Sequence, residues 1–342
     1  MAVNPATDLL TAIVASATRA PSMHNTQPWR FRVRCAVPHS LEGAVIEVRR
    51  DPGRGLPVAD PTGWADRIAC GAAAYGVRLG IAVHGHRPVT CACPDPSDPD
   101  LIATVTAGPA RPATPQEHAL FAAIGRRRSK RSPFHPVPAA PGSGEKLQAA
   151  ARAEGAWLEV LDDRRDRAVV ARIVRDAQEQ LHAVPGYSAE LQSWVRPDGP
   201  GDDGVPVETA GPSPAPYDLL ALRDFGSGPR APGRDFEPDP LVRVLGTDTD
   251  HPAAQVHAGM ALYRVLLTAT ADGLSASMLS QPIELSAPRR ELRTALHRTV
   301  GWPQMVLRLG YGIRPPASPR RPVADVLDVA PATEVPARVT PR

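Results

Sequence analysis

Lysine is almost absent from this chain of 342 residues, in which Lys130 and Lys146 are the only two lysines. The other basic residues are arginines, and 39 basic residues face 36 acidic ones, which leaves a net charge of +3. Proteins that bind nucleic acid usually concentrate a clear excess of positive charge on one face. The composition therefore indicates no nucleic-acid partner, while the length allows a sizeable core or two units of ordinary domain size.

Cysteine is also scarce. The four cysteines are Cys35, Cys70, Cys91 and Cys93. Their density is too low for a disulfide framework, no C-x-x-C pair occurs, and the first residues do not resemble a signal peptide. His84-x-His86 precedes the last two cysteines, but this spacing matches no standard zinc pattern. We therefore expect free surface thiols, solvated histidines, no metal site and a reducing, cytoplasmic setting.

Long apolar runs are missing as well. The longest apolar helix candidate extends from Gly259 to Ala271, contains Arg264 and stops at Asp272-Gly273. A transmembrane helix needs about 20 predominantly apolar residues. This segment is too short and too polar, so no membrane partner is expected.

The first third of the chain shows alternating helical and strand patterns. Apolar residues at helical spacing predict a helix over Thr7 to Arg19, and a second helix, rich in alanine and glycine, over Trp64 to Ile81. Strands are predicted over Phe31 to Val37 and Ala44 to Arg50, and mixed strand and loop over Pro88 to Pro115. Because small residues allow another backbone to approach closely, we expect the second helix to be buried.

A weak internal repeat relates the two long small-residue helices. Without a gap, the aligned pairs are Asp60 with Asp248, Gly71 with Gly259, Ala73 with Ala261, Tyr75 with Tyr263, Val77 with Val265, Leu79 with Leu267 and Gly85 with Gly273. The segment from Glu145 to Val160 resembles the first helix and strand, with Trp157 in the place of Trp29. Two buried helices that look alike by chance are the alternative.

The most distinctive stretch is Ala20 to Phe31, A-P-S-M-H-N-T-Q-P-W-R-F. Two prolines restrict its backbone, and several short polar side chains lie between them. The stretch resembles the A-P-S-x-x-N-x-Q-P-W-x-F signature of the nitroreductase flavoproteins and matches it at every signature position. An ordinary helix-to-strand turn is the alternative. The resemblance implies that the loop binds the ring and ribityl part of FMN through Pro21, Ser22, Met23, His24, Asn25 and Gln27.

A basic run, R-R-R-S-K-R, follows at residues 126 to 131. Its last five residues resemble the R-R-S-x-R of nitroreductases, which holds the FMN phosphate. A guanidinium group can donate two hydrogen bonds to two oxygens of one phosphate, and a serine hydroxyl adds a further donor. The resemblance implies that Arg127, Arg128, Ser129 and Arg131 bind the cofactor. A solvated face or a DNA contact is the alternative, although no DNA-binding fold is recognisable around the run.

Two later segments complete the resemblance. The P-I-E near the end of Ser275 to Glu284 resembles the family's loop beside the reactive edge of the flavin, which implies binding by Gln281, Pro282, Ile283 and Glu284. Leu309 to Gly312 resembles the last family strand, and Arg320 and Arg321 resemble the distal arginine that returns to the phosphate. A plain helix connection and an exposed basic tail are the respective alternatives.

Residues 196 to 240 form a tract in which proline and glycine exceed one third. It is interrupted by an apolar segment from Tyr217 to Phe225 that contains Leu219, Leu220 and Leu222. Such tracts are usually disordered or functional. Composition alone leaves open whether this tract is a disordered linker or a lid that docks on the protein body.

The resemblance implies an α/β (α+β) layered fold in which two degenerate nitroreductase-like copies are fused as a single-chain pseudo-dimer. We expect a first half over residues 1–118, a second half over 119–314 that includes the possible lid, and a C-terminal arm and tail over 315–342. One FMN site and a monomeric chain are expected.

The implied function is electron transfer from NAD(P)H through FMN to a small nitro or quinone acceptor. A flavin-storage protein with a lid and little turnover is the alternative. No catalytic residue is predicted from the protein itself, because Ser22 and His24 lack an orienting carboxylate nearby in sequence and FMN would carry the hydride.

Overall fold

The computed structural model describes residues 5–34, 40–197, 201–213, 218–220, 222–225 and 240–329. Its first part begins with a helix and contains four of the strands. The elements are α1 (Pro5–Ala17), β1 (Trp29–Arg34), β2 (Val45–Arg50), α2 (Trp64–Val83), β3 (His86–Ala92), β4 (Leu101–Ala110) and α3 (Pro115–Ile124).

The second part repeats this order with insertions. Its elements are α4 (Ser143–Arg152), β5 (Trp157–Leu161), α5 (Arg164–His182), α6 (Tyr187–Ser193), β6 (Val195–Arg196), β7 (Val205–Pro206), β8 (Leu241–Thr247), α7 (Pro252–Ala271), β9 (Ser275–Leu279), α8 (Gln281–Glu284), α9 (Ser286–Ala295), β10 (Trp302–Gly310), α10 (Val323–Val326) and β11 (Leu327–Val329).

Two sheets of matching topology confirm the internal repeat. The first sheet has the order β11-β1-β2-β4-β3 and the second has the order β5-β8-β10-β9. Apart from β11, both sheets are antiparallel and follow the same chain sequence of helix, two strands, helix and two strands. Trp29 and Trp157 each begin the first strand of their sheet. The chain is therefore an α/β layered protein built from two fused copies of one topology.

The two copies meet through α2 and α7. Both helices contain 20 residues, and they begin at Trp64 and Pro252, the same offset that aligns Gly71 with Gly259. All of α2 is buried except Arg67, Arg78 and Val83. Each helix also contacts the strands of its own sheet, so the pair links the two layers.

Glycine permits this contact at two positions. A Cβ atom at Gly71 would overlap the carbonyl oxygen of Val256, and one at Gly259 would overlap the carbonyl oxygen of Ile68. The two helix backbones therefore touch directly where the repeat aligns a glycine with a glycine. Since no larger residue fits, the spacing of the two halves depends on these positions.

Asp60 and Asp248 precede their helices at the same distance, as predicted, but the two aspartates differ in role. Asp60 accepts hydrogen bonds from the backbone N–H groups of Trp64 and Ala65, both at 2.8 Å, and so caps α2. At the start of α7 the cap is His251, whose ring accepts from the N–H of Ala254 at 3.2 Å. The second copy keeps its aspartate, Asp248, at the same distance but caps the helix with a different residue.

The C-terminal arm returns to the first copy. β11 pairs in parallel with β1, so that Phe31 lies opposite Leu327 and the arm extends the first sheet. The expected boundary between residues 118 and 119 lies inside α3, which contacts both α2 and α7. The three-part division of the chain stays a prediction.

Several sequence predictions are corrected. Cys70 is fully buried in the first core instead of forming a surface thiol, and Cys35 lies outside the described residues. The P-I-E, which was expected in a loop, lies in the one-turn helix α8 directly after strand β9. Within the described ranges, no helix is both long and apolar enough to cross a membrane, and no group of three metal-ligating side chains occurs.

The α2–α7 contact can be tested with Gly71→Ala. Overpacking of a closely packed contact typically costs about 1–3 kcal/mol, so the urea midpoint of unfolding should fall clearly below that of the wild type. Gly125→Ala is the matched control, because a Cβ at Gly125 meets open space and its φ is −66°. Equal midpoints for the two variants would show that the helices can separate without cost.

Candidate cofactor site

The signature loop has a strained backbone. Residues Met23–Asn25 form a single 3-10 turn, and His24, Asn25 and Gln27 have φ angles of 50°, 57° and 53°. Residues other than glycine seldom adopt such angles, and those that do occur often at functional sites. The Ser22 hydroxyl supports the turn by accepting from the N–H of Gln27 at 3.0 Å. The sequence therefore folds this stretch into a shaped loop.

A cavity of about 80 Å³ lies against this loop. It is lined by residues from both copies and from the Pro/Gly tract: Pro21, Ser22, Met23, His24, Trp64, Ala65, Ile68, Ala69, Arg131, Leu222, Arg223, Phe225, Leu262, Ser277, Met278, Ser280 and Met305. The structure thus brings five predicted residues together, four from the signature loop and one from the basic run.

Two predicted loop residues do not line the cavity. The Asn25 amide donates to the carbonyl oxygen of Gly204 at 3.0 Å, and the Gln27 amide donates to that of Asp202 at 2.8 Å. The Gln27 side-chain oxygen accepts from the N–H of Arg321 at 2.9 Å. Both side chains therefore tie the Pro/Gly tract and the C-terminal arm to the loop instead of lining the cavity.

The predicted P-I-E residues are also displaced from the cavity. Gln281, Pro282 and Ile283 are buried in α8, and Ile283 packs in the core of the second copy. The Glu284 carboxylate forms an ion pair with Arg223. The cavity is lined instead by Ser277, Met278 and Ser280, just before α8. The serines just before P-I-E were the sequence signal for these lining residues. The prediction missed them because it placed the flavin contact at P-I-E itself.

His24 is held in its neutral form at the cavity wall. Burial, together with the positive charges of Arg223 and Arg131, lowers its pKa well below the usual value. Its ring meets the ring of Phe225 edge to face, with centroids 5.8 Å apart. A neutral imidazole beside two guanidinium groups offers one donor and one acceptor without adding charge.

Arg131 contributes positive charge to the same cavity. Its guanidinium donates to the carbonyl oxygen of Thr209 at 2.9 Å and lies 5.0 Å from the centre of the Phe225 ring. Burial and the charges of Arg223 and Arg127 lower its pKa to about 10, so it stays protonated at neutral pH. The cavity is therefore an apolar space with a net positive wall.

The basic run is extended beside β9. Ser129 forms a parallel bridge with Ala276, and the N–H of Lys130 donates to the Ala276 carbonyl at 2.9 Å. In an extended segment alternate side chains point to opposite sides. Arg131 accordingly lines the cavity, whereas Arg128 lines a groove elsewhere, together with Arg126.

Arg127 and Arg320 form a positive cluster without a carboxylate. Each donates to the carbonyl oxygen of Arg19 at 3.4 Å, and Arg127 is 7% exposed with an Nε that has no partner. Burial and the charge of Arg127 lower the pKa of Arg320 to about 9. Across the described part of the chain, neither guanidinium forms an ion pair. Buried cations are normally paired, so this cluster is suited to an anion.

Arg320 also anchors the arm, whereas Arg321 lies farther from the cluster. The Arg320 guanidinium donates to the Asn25 side-chain oxygen at 2.9 Å and to the Thr18 carbonyl at 2.8 Å. Arg321 reaches Asp51 at 3.4 Å. The sequence predicted both as phosphate ligands, but only Arg320 joins the carboxylate-free cluster.

The apolar segment of the Pro/Gly tract docks on the protein. Leu220 and Leu222 pack against the core of the second copy, and Phe225 is 4% exposed in a smaller core beside the cavity. Arg223 bonds to Tyr187, Ser280 and Glu284. Tyr217, which was expected to dock with them, lies outside the described residues. The described part of the segment therefore covers the cavity.

Two curated proteins are similar to this chain along almost its whole length. No family model matches the chain. A Mycobacterium tuberculosis protein named "Putative NAD(P)H nitroreductase Rv3131" is 34% identical over 338 residues, which cover 95% of this chain and 92% of that protein. Another, named "Putative NAD(P)H nitroreductase acg", is 30% identical over 334 residues, with 94% and 96% coverage.

Solved structures show weaker similarity. A nitroreductase with bound FMN from Desulfitobacterium hafniense has a TM-score of 0.38 and 14% identity, covering 59% of this chain and 94% of its own. The FMN and NADPH-dependent nitroreductase NfnB from a Sphingopyxis strain has a TM-score of 0.39 and 16% identity, with 61% and 97% coverage. These scores are too low to support an argument. The full-length relatives are decisive, and the chain belongs to the nitroreductase family.

Proposed function

We propose that the protein is an FMN-binding oxidoreductase that transfers electrons from NAD(P)H to a small nitro or quinone acceptor. One observation supports this proposal most strongly. Arg127 and Arg320 form a pair without a carboxylate, close to a cavity that is lined by the signature loop. Arg127 is near enough to the cavity for its charge to lower the pKa of Arg131. A phosphate on the cluster and a flat ring in the cavity would together satisfy both features.

The side chains fit FMN, but the enclosed volume requires a movement. Pockets for small molecules usually enclose about 300–1,000 Å³, whereas this cavity encloses about 80 Å³. Part of the space is taken by Leu222, Arg223 and Phe225, which belong to the docked segment. Flavin binding would therefore displace this segment outward, and the residues left behind are apolar side chains, serine hydroxyls, His24 and Arg131.

When bound, FMN supplies a ring that accepts a hydride and passes electrons on. The protein orients it. Arg131 would place positive charge beside the ring, and Ser277 and Ser280 would offer hydroxyl donors from the second copy. Met23, Ile68 and Met278 keep water from the cavity. Because both copies line one cavity, the proposal includes one site per chain and a monomer that acts as an internal pseudo-dimer in the cytoplasm.

A storage role is the second candidate, and the docked segment favours it. Phe225 lies over Arg131 and against His24, and Arg223 is held by Glu284. If the displaced segment still covered a bound flavin, it would hinder access of both NAD(P)H and an acceptor. The two functions differ in how readily the segment opens.

The purified protein should be yellow and carry one FMN per chain, because a single complete set of loop and arginine residues is proposed. Flavin extraction with absorbance gives the stoichiometry. Anaerobic mixing with NADPH should bleach the flavin absorbance if the protein is an oxidoreductase. Persistent colour would favour storage, whereas two flavins per chain or none would refute the proposed site.

Arg127→Ala should weaken FMN binding. Loss of one charge-assisted hydrogen bond costs about 1.5–3 kcal/mol, which raises the Kd roughly tenfold to over a hundredfold. Fluorescence titration of the flavin-free protein with FMN measures this change. Arg172→Ala removes a surface arginine that pairs with Asp176 and Glu291, and it should leave the Kd unchanged. The same Kd in both variants would place the phosphate elsewhere.

Phe225→Ala should speed both flavin reduction by NADPH and FMN release, because it removes the ring that covers Arg131 and His24. Leu219→Ala is the control, since Leu219 lies in the same segment but does not line the cavity. Stopped-flow reduction and FMN dissociation rates distinguish the variants. If both match the wild type, the segment does not gate the site and the storage role loses its physical basis.

A further inference from the structure

A second groove lies outside the proposed flavin cavity. It encloses about 340 Å³ beside the end of α7, the basic run and the chain after β10. Its lining residues are Arg126, Arg128, Thr270, Gly273, Leu274, Ser275, Gly312 and Arg314. None of these lines the flavin cavity, so the groove is a separate space.

Three arginines and no carboxylate line this groove. In the described part of the chain, Arg126, Arg128 and Arg314 form no ion pair. The Nε of Arg128 is buried without a hydrogen-bond partner. Three cations that remain close together repel each other, and an anion between them removes this repulsion.

The arginines are not explained as caps of α7. Basic side chains often bond to the last carbonyls of a helix. Here backbone N–H groups fill that role, since Asp272 donates to Thr268, Gly273 to Thr270 and Leu274 to Ala269. Arg128 instead donates to the carbonyls of Gly125 and Arg127 at its own turn.

The remaining donors match a phosphate. A guanidinium group can donate two parallel hydrogen bonds to two oxygens of one phosphate. Arg126 and Arg314 are exposed at the groove, and most of their N–H donors are unused. The Ser275 hydroxyl is a further donor in the lining. A volume of about 340 Å³ exceeds what one phosphate needs and falls within the range of pockets for small ligands.

We propose that this groove binds a phosphate group of a ligand other than FMN. The two possible sources are free phosphate and the phosphate-bearing adenosine end of a nicotinamide dinucleotide. The second source rests on the proposed function, whereas binding of phosphate at the groove does not.

Calorimetry on the full chain with saturating FMN tests the proposal, with inorganic phosphate, 5′-AMP and 2′,5′-ADP as probes at low salt. We expect at least one probe to bind with 1:1 stoichiometry and the double variant Arg126→Ala/Arg314→Ala to weaken it at least tenfold. Arg172→Ala/Arg290→Ala removes the same charge from exposed positions outside the groove and should bind like the wild type.

The outcomes are distinct. Equal binding of all three probes supports free phosphate, and tighter binding of 2′,5′-ADP than of 5′-AMP supports a dinucleotide source. No binding, or equal weakening in both double variants, overturns the proposal. Binding to flavin-free protein that FMN abolishes also overturns it, since the probe would then occupy the flavin site. A chain that takes up no FMN but binds phosphate at the groove would refute only the proposed oxidoreductase function.

Discussion

The direct contact between α2 and α7 is the constraint on which the rest of the structure depends. Gly71 and Gly259 let two buried helix backbones touch, and each helix also packs on its own sheet. In a symmetric dimer such a contact would join two chains. Here it joins two copies within one chain, so both copies contribute residues to one cavity without a concentration-dependent association step.

The two copies have diverged in complementary ways. The first copy keeps the strained loop at Ser22 to Gln27, and the second supplies Ser277, Met278 and Ser280. Between the copies, the basic run runs beside β9 and reaches the cavity at Arg131, and the arm after β10 brings Arg320 back to the first copy. A cavity assembled this way depends on the α2–α7 spacing, because a shift of one copy would separate the loop from the serines.

Unpaired positive charge is the second organising feature. Arg127 and Arg320 meet at one carbonyl oxygen, and Arg126, Arg128 and Arg314 meet at a groove, in both cases without a carboxylate among the described residues. By contrast, the buried Arg223 forms an ion pair with Glu284. Unpaired buried charge, such as that of Arg127, destabilises a fold, so an anionic ligand explains it better than a contribution to fold stability does.

The sequence alone determined the family, the repeat and the positions of α1, α2, α7 and the first two strands. The contiguous signature, the glycine alignment of α2 with α7 and the helical spacing of apolar residues are local patterns. Such patterns can be read directly from the sequence. It also predicted Ser22, His24, Arg127 and Arg131 as cofactor-binding residues, and the structure places Ser22, His24 and Arg131 at one cavity. Only the tertiary structure decided that Asn25 and Gln27 hold the arm, that Glu284 pairs with Arg223 and that Arg128 lines a separate groove. Side-chain direction depends on φ and on partners distant in the chain, which spacing along the sequence does not encode.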